Sequence, residues 1–256
     1  MSELVKVAVA EGVCRITMNR PEVMNALNRE MRVALLAALK AGHASRVMVL
    51  TGLGRAFCSG QDLADVGSLD DVAFEAILNE EYVPMIRAIT EAPVPVIAAV
   101  NGAAVGAGAN LALACDLVIA CESATFIQAF TRIGLIPDAG GTSFLPRRVG
   151  LQRAMGAALL AEPVGARQAM DWGMIWEAVP DARFAEVVAT RAEKLASGPT
   201  GAYRALKLAL RGAFDQTLEA QLAIEARLQG ACGASADFRE GVAAFLAKRP
   251  ARFTGT

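Results

Sequence analysis

One carboxylate stands within an otherwise apolar stretch of the sequence, residues 133–142, I-G-L-I-P-D-A-G-G-T. Asp138 follows a proline, which restricts the backbone before it, and lies shortly before a pair of glycines, which leave the chain free to turn. Such a composition is typical of a turn, and an aspartate there can also cap the next helix. Apolar surroundings would equally suit a carboxylate that takes up and returns a proton. These residues alone leave both interpretations open.

Two glycine-containing loops could supply the complementary group, a site for negative charge. They are Ser59-Gly60-Gln61-Asp62 and Val105-Gly106-Ala107-Gly108. The second loop opens a predicted helix, whose first N–H groups have no acceptor inside the helix and whose dipole adds positive potential. Two such N–H groups converging from separate elements would form an oxyanion hole, and small residues would leave the backbone accessible. Taken alone, both loops also fit ordinary turns.

Residues that other chemistries require are scarce. The chain has one histidine, His43, which follows Gly42 at a predicted helix end and fits a surface role. A Ser–His–Asp triad or a tetrahedral metal site therefore lacks its components, and we expect no metal or redox cofactor. No G-x-S-x-G or G-x-x-x-x-G-K-[ST] motif occurs. A net charge of -1 without a basic run argues against nucleic acid as a partner.

The composition predicts a globular protein with a large core. Of the 256 residues 54% are hydrophobic but only 5% are aromatic, so the core must consist mainly of small side chains. The uncharged run 92–115 contains prolines, glycines and asparagines, which favour a strand, a turn and a helix over a membrane span. The N-terminus has no apolar signal region. We expect a cytoplasmic protein with reduced thiols, since five cysteines are scattered without a C-x-x-C pair: Cys14, Cys58, Cys115, Cys121 and Cys232.

The elements that would position these groups alternate between strands and helices up to residue 197. We predict strands near 5–9, 13–18, 47–51, 95–100, 117–120, 124–127 and 174–179. We predict helices at 28–40, from Asp70 or Asp71 to 90, and at 106–114, 142–149, 151–160, 166–172 and 181–196, with Asn28 and Asp181 as caps. Residues 52–67 are predicted to form one long loop. After Ser197-Gly198-Pro199, helices are predicted at 201–211, 217–229 and 235–248.

Several motifs resemble those of the crotonase (enoyl-CoA hydratase/isomerase) superfamily. A-F-C-S-G-Q-D-L (56–63), V-N-G-A-A-V-G-A-G-A-N-L-A-L-A-C-D (100–116) and residues 133–142 occur in its order and spacing, and N-R-P-E-V-M-N-A-L (19–27) fits too. The resemblance covers essentially the whole chain. W-G-M-I-W-E-A-V (172–179) and S-A-D-F-R-E-G-V-A-A-F-L-A-K-R (235–249) resemble the branch of ring-1,2-epoxyphenylacetyl-CoA isomerases of phenylacetate degradation.

The resemblance implies an α/β crotonase (ClpP-like) fold of repeated β-β-α units with a helical C-terminal part. The core, 1–197, would hold an acyl-CoA site, and residues 198–256 would mediate assembly into a homotrimer or homohexamer. The thioester oxygen would lie between the N–H groups of Gln61 and Ala107, with Asp138 as the acid–base group. The implied substrate-binding residues are Val23, Asn25, Ala26, Ala56, Ser59, Gly60, Asp62, Leu63, Gly106, Asn110, Phe130 and Ile133.

One departure from the family pattern bears on the reaction. The two glutamates of the family's hydratases would fall at Asn110 and Phe130, and neither residue can activate water or protonate carbon. We therefore interpret Asp138 as the proton carrier of an isomerase, shielded by an apolar wall of Phe130, Ile133, Leu135 and Ile136. The implied reactions convert the ring epoxide to oxepin-CoA and shift a Δ3 double bond to Δ2, with CoA as part of the substrate. The alternatives are a hydratase or thioester hydrolase on the same fold, or a non-catalytic acyl-CoA binder.

Overall fold

The structure is a computed structural model and describes residues 4–65 and 73–256. Its strands are β1 Val5–Ala10, β2 Val13–Met18, β3 Val47–Gly52, β4 Ala56–Cys58, β5 Val96–Val100, β6 Ala103–Val105, β7 Leu117–Cys121, β8 Thr125–Ile127, β9 Val164–Gly165 and β10 Glu177–Val179. Its helices are α1 Arg29–Gly42, α2 Phe74–Ile77, α3 Val83–Thr90, α4 Ala107–Ala114, α5 Gly141–Val149, α6 Leu151–Leu160, α7 Ala166–Asp171, α8 Phe184–Ala196, α9 Thr200–Gly212, α10 Leu218–Gly233 and α11 Ala236–Leu246.

The strands form two sheets. The larger has the order β1-β2-β3-β5-β7-β10 and is parallel except for the β1–β2 hairpin, in which Val5 lies opposite Met18. The smaller has the order β4-β6-β8-β9, with only β9 antiparallel to its neighbour. Helices provide the crossovers that parallel neighbours require. The predicted α/β core is therefore confirmed.

The larger sheet is buried on both faces. Met48 and Leu50 of β3 belong to the main hydrophobic core, whereas Val47 and Val49 point the other way and pack in a second cluster with Val188 of α8. Side chains alternate across a strand, so burial on both faces requires the continuous apolar run seen in the sequence. This arrangement confirms the strand predicted at 47–51.

The structure confirms the predicted cap of α1 and shows other local contacts that were not predicted. Asn28 caps α1, its Oδ1 accepting a hydrogen bond of 2.9 Å from the Met31 N–H. Thr217 and Ser235 cap α10 and α11 in the same way. The five cysteines are free, and four of them are buried. His43 is half-buried, and its Nε2 lies 2.7 Å from the carbonyl oxygen of Ala88. His43 thus links the end of α1 to α3. The predicted role as a surface residue is therefore wrong.

The single loop predicted at 52–67 is wrong. Strand β4 and a 3-10 turn, Leu63–Asp65, lie inside it, while residues 66 and 67 lie outside the described part. Strand β4 has only three residues and pairs with β6, which was also missed. A short strand that forms by pairing with a distant segment leaves little periodicity in the sequence.

The helix predicted to end at 90 is interrupted. Its predicted cap, Asp70 or Asp71, lies outside the described residues. A π-helical turn, Leu78–Tyr82, separates α2 from α3, and Pro84 occupies the first turn of α3. Proline has no N–H for the preceding helical turn, which accounts for a break in regular hydrogen bonding at this point.

Asp181 does not cap α8, contrary to the sequence prediction. Its Oδ1 accepts a hydrogen bond of 3.0 Å from the Ser123 N–H, and a 3-10 turn, Asp181–Arg183, precedes the helix. The strand predicted at 174–179 is likewise shorter and consists of β10 alone. The turn between β7 and β8 therefore holds Asp181 away from the helix, and β10 covers only the residues that pair with β7, Glu177–Val179.

Helix α9 attaches to the core through a half-buried ion cluster. Lys207 and Arg211 of α9 contact the two carboxylate oxygens of Asp116 at 2.6 and 2.7 Å. Many large apolar side chains from α9 to α11 remain exposed, among them Leu210, Phe245 and, in the 3-10 turn between α9 and α10, Phe214. Among the described residues, no helix is long and apolar enough to cross a membrane.

Candidate active site

The loop after β4 meets the N-terminus of α4 at very close range. A methyl group at Gly60 would lie 2.7 Å from the carbonyl oxygen of Val105 and 3.3 Å from the nitrogen of Ala107. Gly60 also has a φ of +89°, a conformation that other residues rarely adopt. A methyl group at Gly108 would lie 2.3 Å from the carbonyl oxygen of Cys58. The small residues at these positions are therefore required for the two segments to meet.

The main-chain N–H groups of Gln61 and Ala107 both belong to this junction. Ala107 is the first residue of α4, so its N–H has no partner within the helix. In the described part of the chain, neither N–H donates to any acceptor. Bonds from Leu27 N–H to Gly60 O at 2.8 Å and from Asp62 N–H to Leu27 O at 3.2 Å fix the backbone on either side of Gln61. Both N–H groups are thus free to donate, as the predicted oxyanion hole requires.

The segment 23–26 packs against the same loop. The side chain of Asn25 is fully buried, and its Nδ2 donates to the carbonyl oxygens of Ala56 at 2.9 Å and Phe57 at 3.2 Å. The Ser59 hydroxyl donates to the carbonyl oxygen of Val23 at 3.2 Å. The structure thus brings these sequence-predicted substrate residues together, although Asn25 acts on the protein backbone.

The other members of the predicted substrate wall differ in exposure. Ala26 and Ala56 are buried, whereas Leu63 is exposed. Asp62 forms an ion pair of 2.9 Å with Arg20, which also donates to the carbonyl oxygen of Ala26. The Asp62 carboxylate therefore already has a cationic partner within the chain.

Two residues that the sequence analysis missed hold the Gln61 side chain. Its Oε1 accepts hydrogen bonds from the Tyr82 hydroxyl at 2.6 Å and from Arg32 Nη1 at 3.0 Å. Tyr82 and Arg32 are almost fully buried, and the Arg32 charge is balanced by Glu81 at 2.6 Å. A signal was present, because Arg32 lies beside Met31 on the buried face of α1, where arginine needs a partner.

Asp138 lies in a turn between the 3-10 turn Ala129–Ile133 and α5. Its carboxyl oxygen Oδ1 is buried and has no hydrogen-bond partner among the described residues. Burial raises the pKa of Asp138 from 3.8 to about 6, while a hydrogen bond from its own N–H opposes that shift. Burial is also the main reason that the pKa of Tyr82 is raised, and the Asp138 charge adds to the effect, so the two groups interact.

The positions of the two hydratase glutamates hold uncharged, buried side chains. Asn110 is fully buried, and its Nδ2 donates to the main-chain oxygen of Asp138 at 2.8 Å. Phe130 is also buried, and its ring would lie 3.7 Å from a methyl group at Gly106. The Phe130 ring therefore packs beside the N-terminus of α4.

The apolar wall predicted around Asp138 is only partly formed. Phe130 is buried and Leu135 is half-buried, but the exposed fractions of Ile133 and Ile136 are 53% and 76%. Gly134, with a φ of +75°, ends the 3-10 turn and redirects the chain there. Contrary to the prediction, Ile133 and Ile136 are therefore too exposed in the single chain to form part of an apolar wall.

Comparison with known proteins shows the family of this chain. Residues 8–256 match the family described as enoyl-CoA hydratase/isomerase. The chain belongs to that family. A Rhodobacter capsulatus protein named a probable enoyl-CoA hydratase is 59% identical over 98% of both chains. The Escherichia coli 1,2-epoxyphenylacetyl-CoA isomerase is 46% identical over 100% of both. A solved enoyl-CoA hydratase from Bacillus anthracis superposes with a TM-score of 0.94 at 32% identity, covering 99% of this chain and 100% of its own.

These matches establish the coarse assignment. The protein is an enzyme of the enoyl-CoA hydratase/isomerase family with the crotonase fold, as the sequence motifs indicated. The names of its relatives include both a hydratase and an isomerase. The choice between the two reactions therefore depends on the chemistry of the side chains.

Proposed function

We propose that the enzyme is a cofactor-independent acyl-CoA isomerase in which Asp138 carries the proton. The thioester oxygen would be held by the N–H groups of Gln61 and Ala107. The observation that carries the proposal is the half-buried Asp138 carboxyl, whose buried Oδ1 has no hydrogen-bond partner among the described residues and whose pKa is raised to about 6. Positions 110 and 130 hold Asn and Phe, so neither can supply the acid or base for adding water.

The mechanism assigns separate tasks to the two parts of the site. As Asp138 removes a proton from the acyl chain, negative charge moves to the thioester oxygen, and the two N–H groups stabilise the resulting enolate. One such donor typically lowers the barrier by about 3 kcal/mol. The protonated Asp138 then returns the proton to another carbon. A pKa near the working pH favours both steps, and such acid–base catalysis typically contributes about 10²–10⁴ in rate.

The substrate that we propose is ring-1,2-epoxyphenylacetyl-CoA, which would be converted to oxepin-CoA. The full-length similarity to a relative named 1,2-epoxyphenylacetyl-CoA isomerase supports this choice. A shift of a Δ3 double bond to Δ2 in related enoyl-CoA thioesters would use the same groups. With the ring epoxide, the carbon–carbon bond shared by the epoxide and the six-membered ring must also open, so that its oxygen becomes part of a seven-membered ring. In either reaction the substrate and the product have the same atoms.

A hydratase is the second candidate, because the 59% identical relative is named a probable enoyl-CoA hydratase. Product mass separates these reactions. Isomerisation leaves the mass unchanged, hydration adds one water, and thioester hydrolysis releases free CoA. Tight binding of acyl-CoA without any product would instead indicate a non-catalytic binder.

The deciding experiment is the substitution Asp138→Asn. Isomerisation of the ring epoxide and of a 3-enoyl-CoA should fall by about 10² or more, since the base is lost. Asp171→Asn, at an exposed carboxylate on α7, is the matched control and should retain full activity. Full activity of Asp138→Asn on both substrates, or rapid hydration of crotonyl-CoA by the native enzyme, would refute the proposal.

We also propose that the enzyme is a homotrimer or homohexamer assembled partly through residues 198–256. The exposed apolar side chains of the C-terminal helices support this, since large unpaired apolar surfaces favour association. They are Leu206, Leu208, Leu210, Phe214, Leu218, Leu222, Phe238, Val242, Phe245 and Leu246. Light scattering should give a mass of three or six chains, and a monomer would contradict the proposal.

A further inference from the structure

A chain of two buried amides ends on the backbone of Asp138. Gln128 Nε2 donates to Asn110 Oδ1 at 2.8 Å, and Asn110 Nδ2 donates to the Asp138 carbonyl oxygen at 2.8 Å. Asn110 is fully buried and Gln128 is 5% exposed. Neither residue has a part in the proton transfer proposed above. We infer that Asn110, oriented by Gln128, is the positioning residue that holds the Asp138 turn in its reactive conformation.

The amide of Asn110 suits this position in the chain of hydrogen bonds, because the position needs both a donor and an acceptor. Asn110 accepts through its oxygen and donates through its nitrogen, and reversing the amide would bring two acceptors together at Asp138. An ionised carboxylate at 110 would do the same, because it has no hydrogen to donate. The departure from the hydratase pattern at position 110 thus does more than remove an acid, since it supplies the donor that the Asp138 turn uses.

The turn itself is shaped to receive the Asn110 side chain. A methyl group at Gly141 would lie 2.2 Å from Asn110 Nδ2, so a side chain at 141 would displace the amide. The Gly141 N–H donates to the same Asp138 carbonyl oxygen at 2.8 Å. Two donors from different elements therefore fix one peptide group.

The backbone after Asp138 needs such support. Ala139 has a φ of +47°, in the left-handed region that a residue with a side chain rarely occupies. Strained conformations persist where the surrounding contacts determine them. Without the Asn110 bond, the Asp138–Ala139 peptide can rotate, and the direction of the Asp138 carboxyl changes with it. A displacement of about 1 Å in a reacting group is sufficient to lower a rate by about 10².

The inference rests on the proposed role of Asp138 and is tested with Asn110→Asp and Gln128→Met. Both variants keep side chains of similar size, the first removing the donor and the second removing the bond that orients Asn110. We expect kcat to fall by about 10- to 100-fold with KM changed less than about twofold, because the acyl-CoA contacts remain. The acidic limb of the pH–rate profile should also shift by about half a unit or more, as the burial of Asp138 changes.

The matched control is Asn101→Asp. Asn101 also uses both ends of its amide, donating to the Gly54 carbonyl oxygen at 2.9 Å and accepting from the Gly52 N–H at 3.2 Å. It lies at the end of β5 and does not contact the Asp138 turn. The control should lower thermal stability while leaving kcat and the acidic limb unchanged.

A double variant tests whether Gln128 acts through Asn110. The loss in kcat caused by Gln128→Met should largely disappear in an Asn110→Leu background, since coupled sites are not additive. If Asn110→Asp does not fold, Gln128→Met alone decides. Native kcat and an unshifted acidic limb in the folded variants would overturn the inference, provided that Asp138→Asn is inactive. Full activity of Asp138→Asn would instead refute the proposed function itself.

Discussion

The Tyr82 hydroxyl donates a hydrogen bond of 2.6 Å to Oε1 of Gln61, the residue whose main-chain N–H we assign to the oxyanion hole. Arg32 donates to the same oxygen at 3.0 Å, and its guanidinium lies 5.4 Å from the centre of the Tyr82 ring. Helix α1 and the π-helical turn 78–82 thereby hold the loop after β4 through the Gln61 side chain. The side chain of Gln61 thus helps to hold the main-chain N–H that we propose for the oxyanion hole.

We predict that Tyr82→Phe lowers kcat by about three- to tenfold, since one neutral hydrogen bond is worth about 1 kcal/mol. KM should change little, because the phenol stabilises the loop and does not bind CoA in our proposal. Steady-state kinetics with the ring-epoxide substrate measure both quantities. Tyr203→Phe, at the other tyrosine of the chain, is the control. If Tyr82 acts through Gln61, its substitution should have no further effect in a Gln61→Met background.

The raised pKa of Asp138 predicts the pH dependence of the reaction. Asp138 must be ionised to accept the first proton, so kcat/KM should fall as pH decreases through about 6. The logarithm of kcat/KM should decline with a slope of about one below that pH. A limb near pH 4, the range of an ordinary aspartate, would show either that Asp138 is solvated or that it is not the base.

The same pKa shift predicts a gain in stability from Asp138→Asn. Between pH 3.8 and about 6 the folded protein binds more protons than the unfolded chain, so the native enzyme loses stability as pH rises through this window. Asparagine has no charge to bury, and the variant should exceed the native free energy of unfolding by about 1–3 kcal/mol above pH 6. Urea unfolding at pH 7.5 and at pH 4 measures the difference, which should largely vanish at the lower pH. A variant less stable than the native protein at pH 7.5 would contradict the prediction.

Gly60→Ala should damage the site severely. The new methyl group would lie 2.7 Å from the Val105 carbonyl oxygen, and the φ of +89° is unfavourable for alanine. We expect kcat/KM to fall by about 10² or more and the free energy of unfolding by about 1–3 kcal/mol. The control is Gly156→Ala in α6, where no atom lies within 4 Å of the added methyl group. It should leave activity unchanged and raise stability by about 0.5–1 kcal/mol, since alanine favours helix over glycine.

Local signals in the sequence were sufficient for much of the fold. The β1–β2 hairpin, the α1 cap at Asn28 and strand β3 each follow from residues within one element, and the structure confirms them. The family motifs likewise predicted the crotonase fold. Such features depend on periodicity and capping, which neighbouring residues determine.

Contacts between distant residues decided the rest. Strand β4 exists because it pairs with β6, and Gln61 is held by Tyr82, 21 positions away. Asn110 could be read only as a missing acid until the structure showed its bond to Asp138, 28 positions away. The sequence by itself determined which side chains were available for catalysis. Only the tertiary structure decided their partners and the pKa of Asp138, because burial and hydrogen bonding arise when the elements pack together.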